Sequence, residues 1–500
     1  MSEESVFPQA LLDELARDPA APAVERGPRT TTRGELLDLV RRTAAALRDA
    51  GAGPGRGVAL ATGVTAEGLA AQVAAHVLGC RVVGVRPAVP PAHLPHVLGD
   101  VDVLVVDAGT DDPALRGAAG AARVVVLEHD LPADGDDPVP AGRPDDVALV
   151  VSTSGSTGVP KGAAFTYAAL TGHWSWQPAR WTDRTRALAA GYGRFLLFGT
   201  LASAVVFEHL ALCLLTGGTA VVPEGPPDLP RDFGRLRATA CLLTVPRLHR
   251  LLDTASPDDL TTLRVLLVAG SPLAPHRFAQ AVELLGDVVH HGYGQTELGM
   301  VSLLTAEDVR RHPGALASVG RPWAGVEVRV VDEDGADVPP GATGEVVVRT
   351  ANAFLGYWRD PDRTAEVVRD GWVRTRDLGR LDGDGFLHLT GRARDVVIVN
   401  AVLHYVGPIE KVLVSHPDVD QAYVVGAPDE RTGEAAHAFV VPRAGASPDG
   451  AALRALVAVE LGPDAVPATV TTVAEVPIAP SGKPDKRALL ALRPEAVRGV

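Results

Sequence analysis

Residues 151–162 read VSTSGSTGVPKG: hydroxyls at Ser152, Thr153, Ser154, Ser156 and Thr157, glycines at Gly155, Gly158 and Gly162, and one ammonium at Lys161. Backbone amides bared by glycine, together with side-chain hydroxyls, satisfy several phosphate oxygens at once, and a nearby lysine adds charge. The chemistry indicated is polyphosphate binding. The spacing is not that of a Walker loop, because Pro160 stands before the lysine in place of glycine, and Gly162 follows it where a magnesium-holding Ser or Thr belongs. A solvated glycine–serine turn is the competing reading of these residues alone.

The pattern around this segment places it at the end of a strand. VALVV (147–151) closes a series of short apolar runs, VALAT (58–62), RVVGV (81–85), DVLVV (102–106) and RVVVL (123–127). Helical stretches separate them, such as Leu36, Leu37, Val40, Ala44 and Leu47 ahead of Gly51. Continuous rather than alternating apolar runs indicate strands covered on both faces, hence parallel sheets flanked by helices. TACLLTV (239–245) and RVLLV (264–268) open a second such series, so the first 300 residues predict two stacked α/β sheets. VEVRVV (326–331), EVVVR (345–349) and FLHLT (386–390), joined by Gly- and Asp-rich turns, read as short antiparallel strands of a small barrel-like subdomain. From Asp395 the runs DVVIV, QAYVV, AHAFVV and ATVTTV predict a small α+β C-terminal domain. The fold class is therefore α/β, with a large domain over 1–392 and a small mobile domain over 393–500.

Composition narrows the function. Forty-seven Lys and Arg against 61 Asp and Glu leave a formal charge of −14, which disfavours nucleic acid as a partner. Cys80, Cys213 and Cys241 are scattered through apolar surroundings, as in a reducing cytoplasm, and form neither a disulfide framework nor a zinc site. The acidic N-terminal stretch lacks the features of a signal peptide. The most apolar stretch, Phe195 to Phe207, runs into Glu208 and His209 and is read as a buried helix rather than a membrane span.

Further short motifs follow in order: VAGSPLAP (268–275), GYGQTELG (292–299), VGRPWAG (319–325), GWVRTRDLG (371–379), GRARD (391–395) and PIAPSGKPDKRAL (477–489). With TSGSTGVPKG (153–162), where every fixed position matches, this series resembles the adenylate-forming superfamily of acyl-CoA synthetases, luciferases and peptide-synthetase adenylation domains over nearly the whole chain. The resemblance implies ATP-dependent activation of a carboxylic acid as an acyl adenylate with release of pyrophosphate, usually followed by transfer to the thiol of CoA or of a carrier protein. It implies ATP and Mg2+ as cofactors; the apolar stretch, which carries no tunnel signature, points to a small or aromatic acid rather than a long chain, and its shortness to no membrane. The phosphate loop, Thr153 to Gly158 with Lys161, would grip the outer phosphates. Gly270, Ser271 and Pro272, with Tyr293 and Gly294, would border adenine. Thr296 would bond the α-phosphate and Glu297 the magnesium, a hard cation that prefers oxygen. Asp377, beside Arg392, would hold the ribose. Lys483 would be the catalytic ammonium and Arg394 the hinge. By motif position, Tyr192, Arg194, Phe195, Phe198, His290 and Gly292 would line the acid pocket.

Three departures stand out. Arg376 replaces the glycine of the WxxTGDLG segment, either facing solvent or meeting phosphate. In VVIVNAVLHYVGPIE (396–410), Ala401 replaces the glycine past which pantetheine runs in CoA ligases, and a β-carbon at a close-approach site obstructs it. The aromatic-His step is missing from AAGYGRFLLFGTLAS (189–203). The altered thiol path leaves a second reading, ATP-dependent activation of nitrite with diazotisation of an aromatic amine. A third, a noncatalytic nucleotide-binding protein, is opposed by the presence of Thr296, Glu297, Asp377, Arg392 and Lys483.

Overall fold

The structure is a computed structural model; it describes residues 6–493 except Ala88, 154–160, Arg394, 400–401, 430–431 and 480–482. Two large sheets dominate the first 360 residues. In the seven-stranded one, Val147–Thr153, Arg81–Gly84, Gly57–Ala61, Val103–Val106 and Arg123–Val126 run parallel, and Lys161–Thr166 returns antiparallel along Val147–Thr153. The nine-stranded sheet has a parallel centre, from Pro22–Arg26 through Thr219–Val222, Arg194–Leu196, Ala240–Thr244 and Val265–Ala269 to Val289–Gln295. Gly299–Thr305 then turns back against Val289–Gln295.

Helices fill the space between. Arg33–Asp49 starts at a capping box, where the Thr32 hydroxyl accepts from the Glu35 amide and the Glu35 carboxylate accepts from the Thr32 amide. Its buried stripe includes Leu36, Leu37, Val40, Ala44 and Leu47, the set marked by sequence spacing. Ala66–Val77 is Ala-rich and buried almost all round, and it joins both sheets in one core with Val82, Leu149, Leu210 and Ala220. Small side chains let that helix sit between two sheets at interior packing density.

The helix expected over Phe195 to Phe207 is not formed as such. Arg194–Leu196 is instead a strand inserted between Thr219–Val222 and Ala240–Thr244; Gly199 takes a φ of 95° to turn the chain, and the buried helix spans Ala204–Leu215. Its apolar composition is shared between a covered strand and a covered helix. Among the described residues, no helix is long and apolar enough to cross a membrane. The three cysteines are buried and free, and burial pushes the Cys80 and Cys213 thiols up to about 12, which keeps them unreactive.

Val326–Val331, Gly344–Thr350, Trp372–Leu381, Val368–Arg369 and Leu387–Arg392 form an antiparallel sheet of five strands. The last sheet holds Val419–Asp429 and Gly433–Pro442 with Val396–Val399, Val402–Tyr405 and Thr469–Thr472, over a separate core that includes Val397, Ile409, Leu413, Val424, Val440 and Val457.

Candidate active site

The carboxyl ends of parallel strands carry the groups marked by sequence, the usual location of ligands in open α/β sheets. Val147–Thr153 ends at the phosphate motif, and Val265–Ala269 ends at Gly270, whose φ of 98° turns the chain into Ser271 and Pro272. Val289–Gln295 delivers Tyr293 and Gly294, and its tight return at Gly299, φ 66°, holds Thr296 and Glu297 in the turn. Ser154, Gly155, Ser156, Thr157 and Gly158, the hinge Arg394 and the departure Ala401 lie outside the described residues.

Two sets of contacts join these ends. Tyr357 donates its hydroxyl to Glu297 Oε1 at 2.8 Å, while the Lys161 ammonium lies 4.7 Å from the centre of the Tyr357 ring. Tyr357 is fixed because Gly356–Tyr357 pairs with Ala163 and Ala164. Asp377, 4% exposed on Trp372–Leu381, accepts at Oδ2 from the Tyr293 hydroxyl at 2.6 Å and the Gln295 amide at 2.7 Å. At Oδ1 it accepts from Arg392 Nε at 3.0 Å. A carboxylate has about four acceptor sites, so Oδ1 has room for one more donor such as a ribose hydroxyl. Burial, reinforced by Asp377, holds the Tyr293 hydroxyl well above its ordinary pKa, so it donates at neutral pH.

Lys483 follows the last strand, Thr469–Thr472, and precedes the helix Lys486–Ala491. Its backbone is pinned by the Ala479 amide donating to the Lys483 carbonyl at 2.8 Å. The residue is exposed, and part of its side chain has lost hydration to neighbouring protein. Loss of hydration lowers its pKa first; Arg392 and Arg86 add to this, and Glu297 and Asp377 oppose it. The charges of Arg392, Glu297, Arg86 and Asp377 all bear on this ammonium.

Arg376 lies outside the cleft. Its φ of 62° is the left-handed conformation that glycine adopts freely. Its guanidinium donates to the Glu366 carbonyl at 2.9 Å and lies 3.7 Å from the Glu366 carboxylate. In this structure its partner is Glu366, in a partly exposed ion pair.

The expected acid-pocket residues are not brought together. Arg194 stands at the amino end of its strand, opposite the ligand edge, and pairs with Glu25 at 2.6 Å. Tyr192, fully buried, shares its hydroxyl hydrogen with His209 Nδ1 at 2.7 Å, and Phe195 packs against it inside the core. These corrections share one cause: the segment before residue 197 belongs to the far edge of the sheet. Phe198 lies nearer the ligand edge with the Arg247 guanidinium 4.6 Å from its ring. His290 and Gly292 are on the same strand as Tyr293; burial lowers the His290 pKa to about 4. At Gly292 an added β-carbon would come 3.4 Å from Leu267 Cδ1 and 3.8 Å from Leu303 Cδ1.

Gln295, Tyr357 and Arg86 belong to the cleft and carry no sequence expectation. Gln295 was hidden at the variable place of GYGQTELG, whereas Tyr357 and Arg86 follow apolar stretches that read as structure alone.

Magnesium fits the donors present. Among the described residues no three His, Cys, Asp or Glu side chains cluster to make a closed cage. Mg2+ is commonly held by one or two carboxylates plus substrate phosphates, and Glu297 keeps Oε2 open while Tyr357 occupies Oε1.

The chain is similar to known proteins over nearly its whole length. A feruloyl-CoA synthase of an Amycolatopsis species is 33% identical over 476 residues, 93% of this chain and 94% of that protein. The fatty acid–[acyl-carrier-protein] ligase ScoC of Streptomyces coeruleorubidus is 34% identical over 69% of this chain and 67% of its own. The structure of the amide bond synthetase McbA from Marinactinospora thermotolerans is similar at a TM-score of 0.82 and 34% identity, covering 96% of this chain and 99% of that one. The family model of the AMP-binding enzymes matches residues 11–358 and that of their C-terminal domain residues 408–483. The chain belongs to the AMP-binding enzymes and is an adenylate-forming ligase.

Proposed function

We propose that the protein uses ATP to convert a small or aromatic carboxylic acid into its acyl adenylate and then passes the acyl group to a thiol, that of CoA or of a carrier protein. The observation that carries this reading is the pair of held carboxylates, Glu297 bonded by Tyr357 beside Lys161 and Asp377 bonded by Tyr293, Gln295 and Arg392, with Lys483 under the influence of both charges. A carboxylate oxygen attacks the α-phosphorus, and the bond from that phosphorus to the bridging oxygen breaks as pyrophosphate leaves. Both reactants are anions, so positioned positive charge supplies alignment and transition-state stabilisation together. Asp377 holds the ribose hydroxyls while Tyr293 and Gln295 hold Asp377. Thr296 donates to the α-phosphate, Lys161 faces the outer phosphates, and Lys483 follows the charge developing between acid and phosphorus. Glu297 would hold magnesium, which when bound neutralises phosphate charge.

The working units are 1–392 and 393–500; the separate core around Val397, Leu413 and Val440 supports this division. The feruloyl-CoA synthase supports an aromatic acid and CoA, and ScoC a carrier protein. A second reading, transfer to an amine to form an amide, is favoured by the likeness to McbA along nearly its full length and by Ala401 on the thiol path.

Pyrophosphate exchange with a panel of aryl, fatty and amino acids identifies the acid. Adding CoA, a phosphopantetheinylated carrier or an amine, with products read by mass, identifies the acceptor. Exchange with no acid, or formation of a diazo product from nitrite and an aromatic amine instead, would overturn the carboxylate reading.

A further inference from the structure

Arg86 stands two residues beyond the strand Arg81–Gly84, at the carboxyl edge of the seven-stranded sheet. Its Nε is buried with no hydrogen-bond partner. Among the described residues its guanidinium forms neither a hydrogen bond nor an ion pair, unlike Arg81 on the same strand, which is met by Asp100. The residue as a whole is half-buried, and an Nε cut off from both water and any acceptor is costly; burial lowers the group's hold on its proton. Such a group fits a site completed by an anionic ligand.

Two placements identify the ligand. Val82 pairs with Leu149 and Val83 with Val150 in parallel register, and continuing that register brings Arg86 level with Thr153, where the phosphate motif begins. Thr153 in turn pairs with Lys161, whose ammonium lies 4.7 Å from the centre of the Tyr357 ring, so Arg86 stands level with the lysine of the phosphate motif; its charge also bears on Lys483. The expected acid-side residues Gly292 and His290 belong to the other sheet.

We propose that Arg86 is a phosphate-binding residue of the nucleotide site, which takes oxygens of the two outer phosphates in ATP and keeps hold of them as pyrophosphate departs. The planar guanidinium suits two oxygens of one phosphate, or one from each of two, better than an ammonium does. This assignment rests on the adenylation reading above, and it adds to the phosphate motif a ligand from a neighbouring strand.

The test compares Arg86→Gln and Arg86→Lys with the parent by calorimetric titration with MgATP, magnesium pyrophosphate and AMP, and by pyrophosphate exchange. R86Q should weaken ATP and pyrophosphate about tenfold or more, as expected for a lost charge-assisted contact. AMP, which lacks the outer phosphates, should bind both proteins alike, and R86K should fall between. Equal weakening of AMP and ATP would overturn the proposal in favour of a structural role. Unchanged ATP and pyrophosphate binding with a raised KM for the acid would overturn it in favour of the acid's carboxylate. If R86Q does not fold, the ATP-to-AMP contrast in R86K decides. The titrations need no turnover: a parent protein that binds ATP and activates no acid removes the adenylation reading and leaves this contrast to stand by itself.

Discussion

Arg277 grips Asp420 with two prongs, Nε to Oδ1 at 2.6 Å and Nη2 to Oδ2 at 2.7 Å, and thereby ties the helix Pro275–Leu285 of the large unit to the strand Val419–Asp429 of the small one. His276 adds a contact of 3.0 Å to the same carboxylate. Burial would raise the Asp420 pKa, but the bonds from His276 and Arg277 outweigh it and keep the group ionised. Lys483 hangs from the same small unit, so this clamp is coupled to its delivery.

Breaking a buried ion pair by removing one partner costs about 3–5 kcal/mol, because the other charge is left stranded. Asp420→Asn should therefore slow adenylate formation, read by pyrophosphate exchange, by about tenfold or more. Transfer from preformed adenylate to the acceptor should change less. Equal slowing of both half-reactions would show that the clamp supports the fold and not the orientation.

Tyr357→Phe removes the hydroxyl that occupies Glu297 Oε1. A net hydrogen bond contributes about 1 kcal/mol, so the Mg2+ concentration for half-maximal exchange should shift by several-fold, with the KM for the acid unchanged. A magnesium titration at saturating acid and ATP checks this.

Glu208 is fully enclosed on Ala204–Leu215, and burial raises its pKa from 4.5 to about 8, opposed by hydrogen bonds from the Trp174 indole and the Met300 amide. Between those values the folded protein keeps a proton that the unfolded chain has released. Its contribution to stability is full below pH 4.5 and is lost as pH rises toward 8, at up to about 1.4 kcal/mol per pH unit. His173 and His209, lowered by burial to about 3, act with the opposite sign: their contribution is present above pH 6.5 and lost as pH falls. Glu208→Gln should remove only the first trend, so the melting-temperature difference between variant and parent should grow in the variant's favour from pH 5 to pH 8. A constant difference contradicts the assignment.

In the proposed mechanism Lys483 works as an ammonium. Its pKa is lowered by lost hydration and by the charges of Arg392 and Arg86, so adenylation should decline with rising pH through a value below 10.5. Lys483→Arg keeps its charge, and its residual activity should lack that alkaline limb. An unchanged limb in K483R would assign it to another group.

The strands ending at the phosphate motif, at Gly270 and at Tyr293 were legible in the sequence because covered parallel strands read as unbroken apolar runs and their ends as sudden polar loops. The stripe of Arg33–Asp49 was legible for the same local reason. Arg194 was not: its partner Glu25 is 169 residues away, and only sheet order reveals that both sit on the edge away from the ligand. Phe195 to Phe207 misled because hydropathy alone does not distinguish a covered strand followed by a turn from a covered helix. Gln295 and Tyr357 act by holding Asp377 and Glu297, a role fixed by register between strands far apart in the chain.

The most direct measurement is pyrophosphate exchange by Lys483→Ala with the best acid, alongside its circular dichroism and melting temperature. Loss of a positioned charge at the reacting centre should lower exchange by about a hundredfold or more while fold and melting temperature stay those of the parent. Exchange at the parental rate in a folded K483A protein would contradict the account.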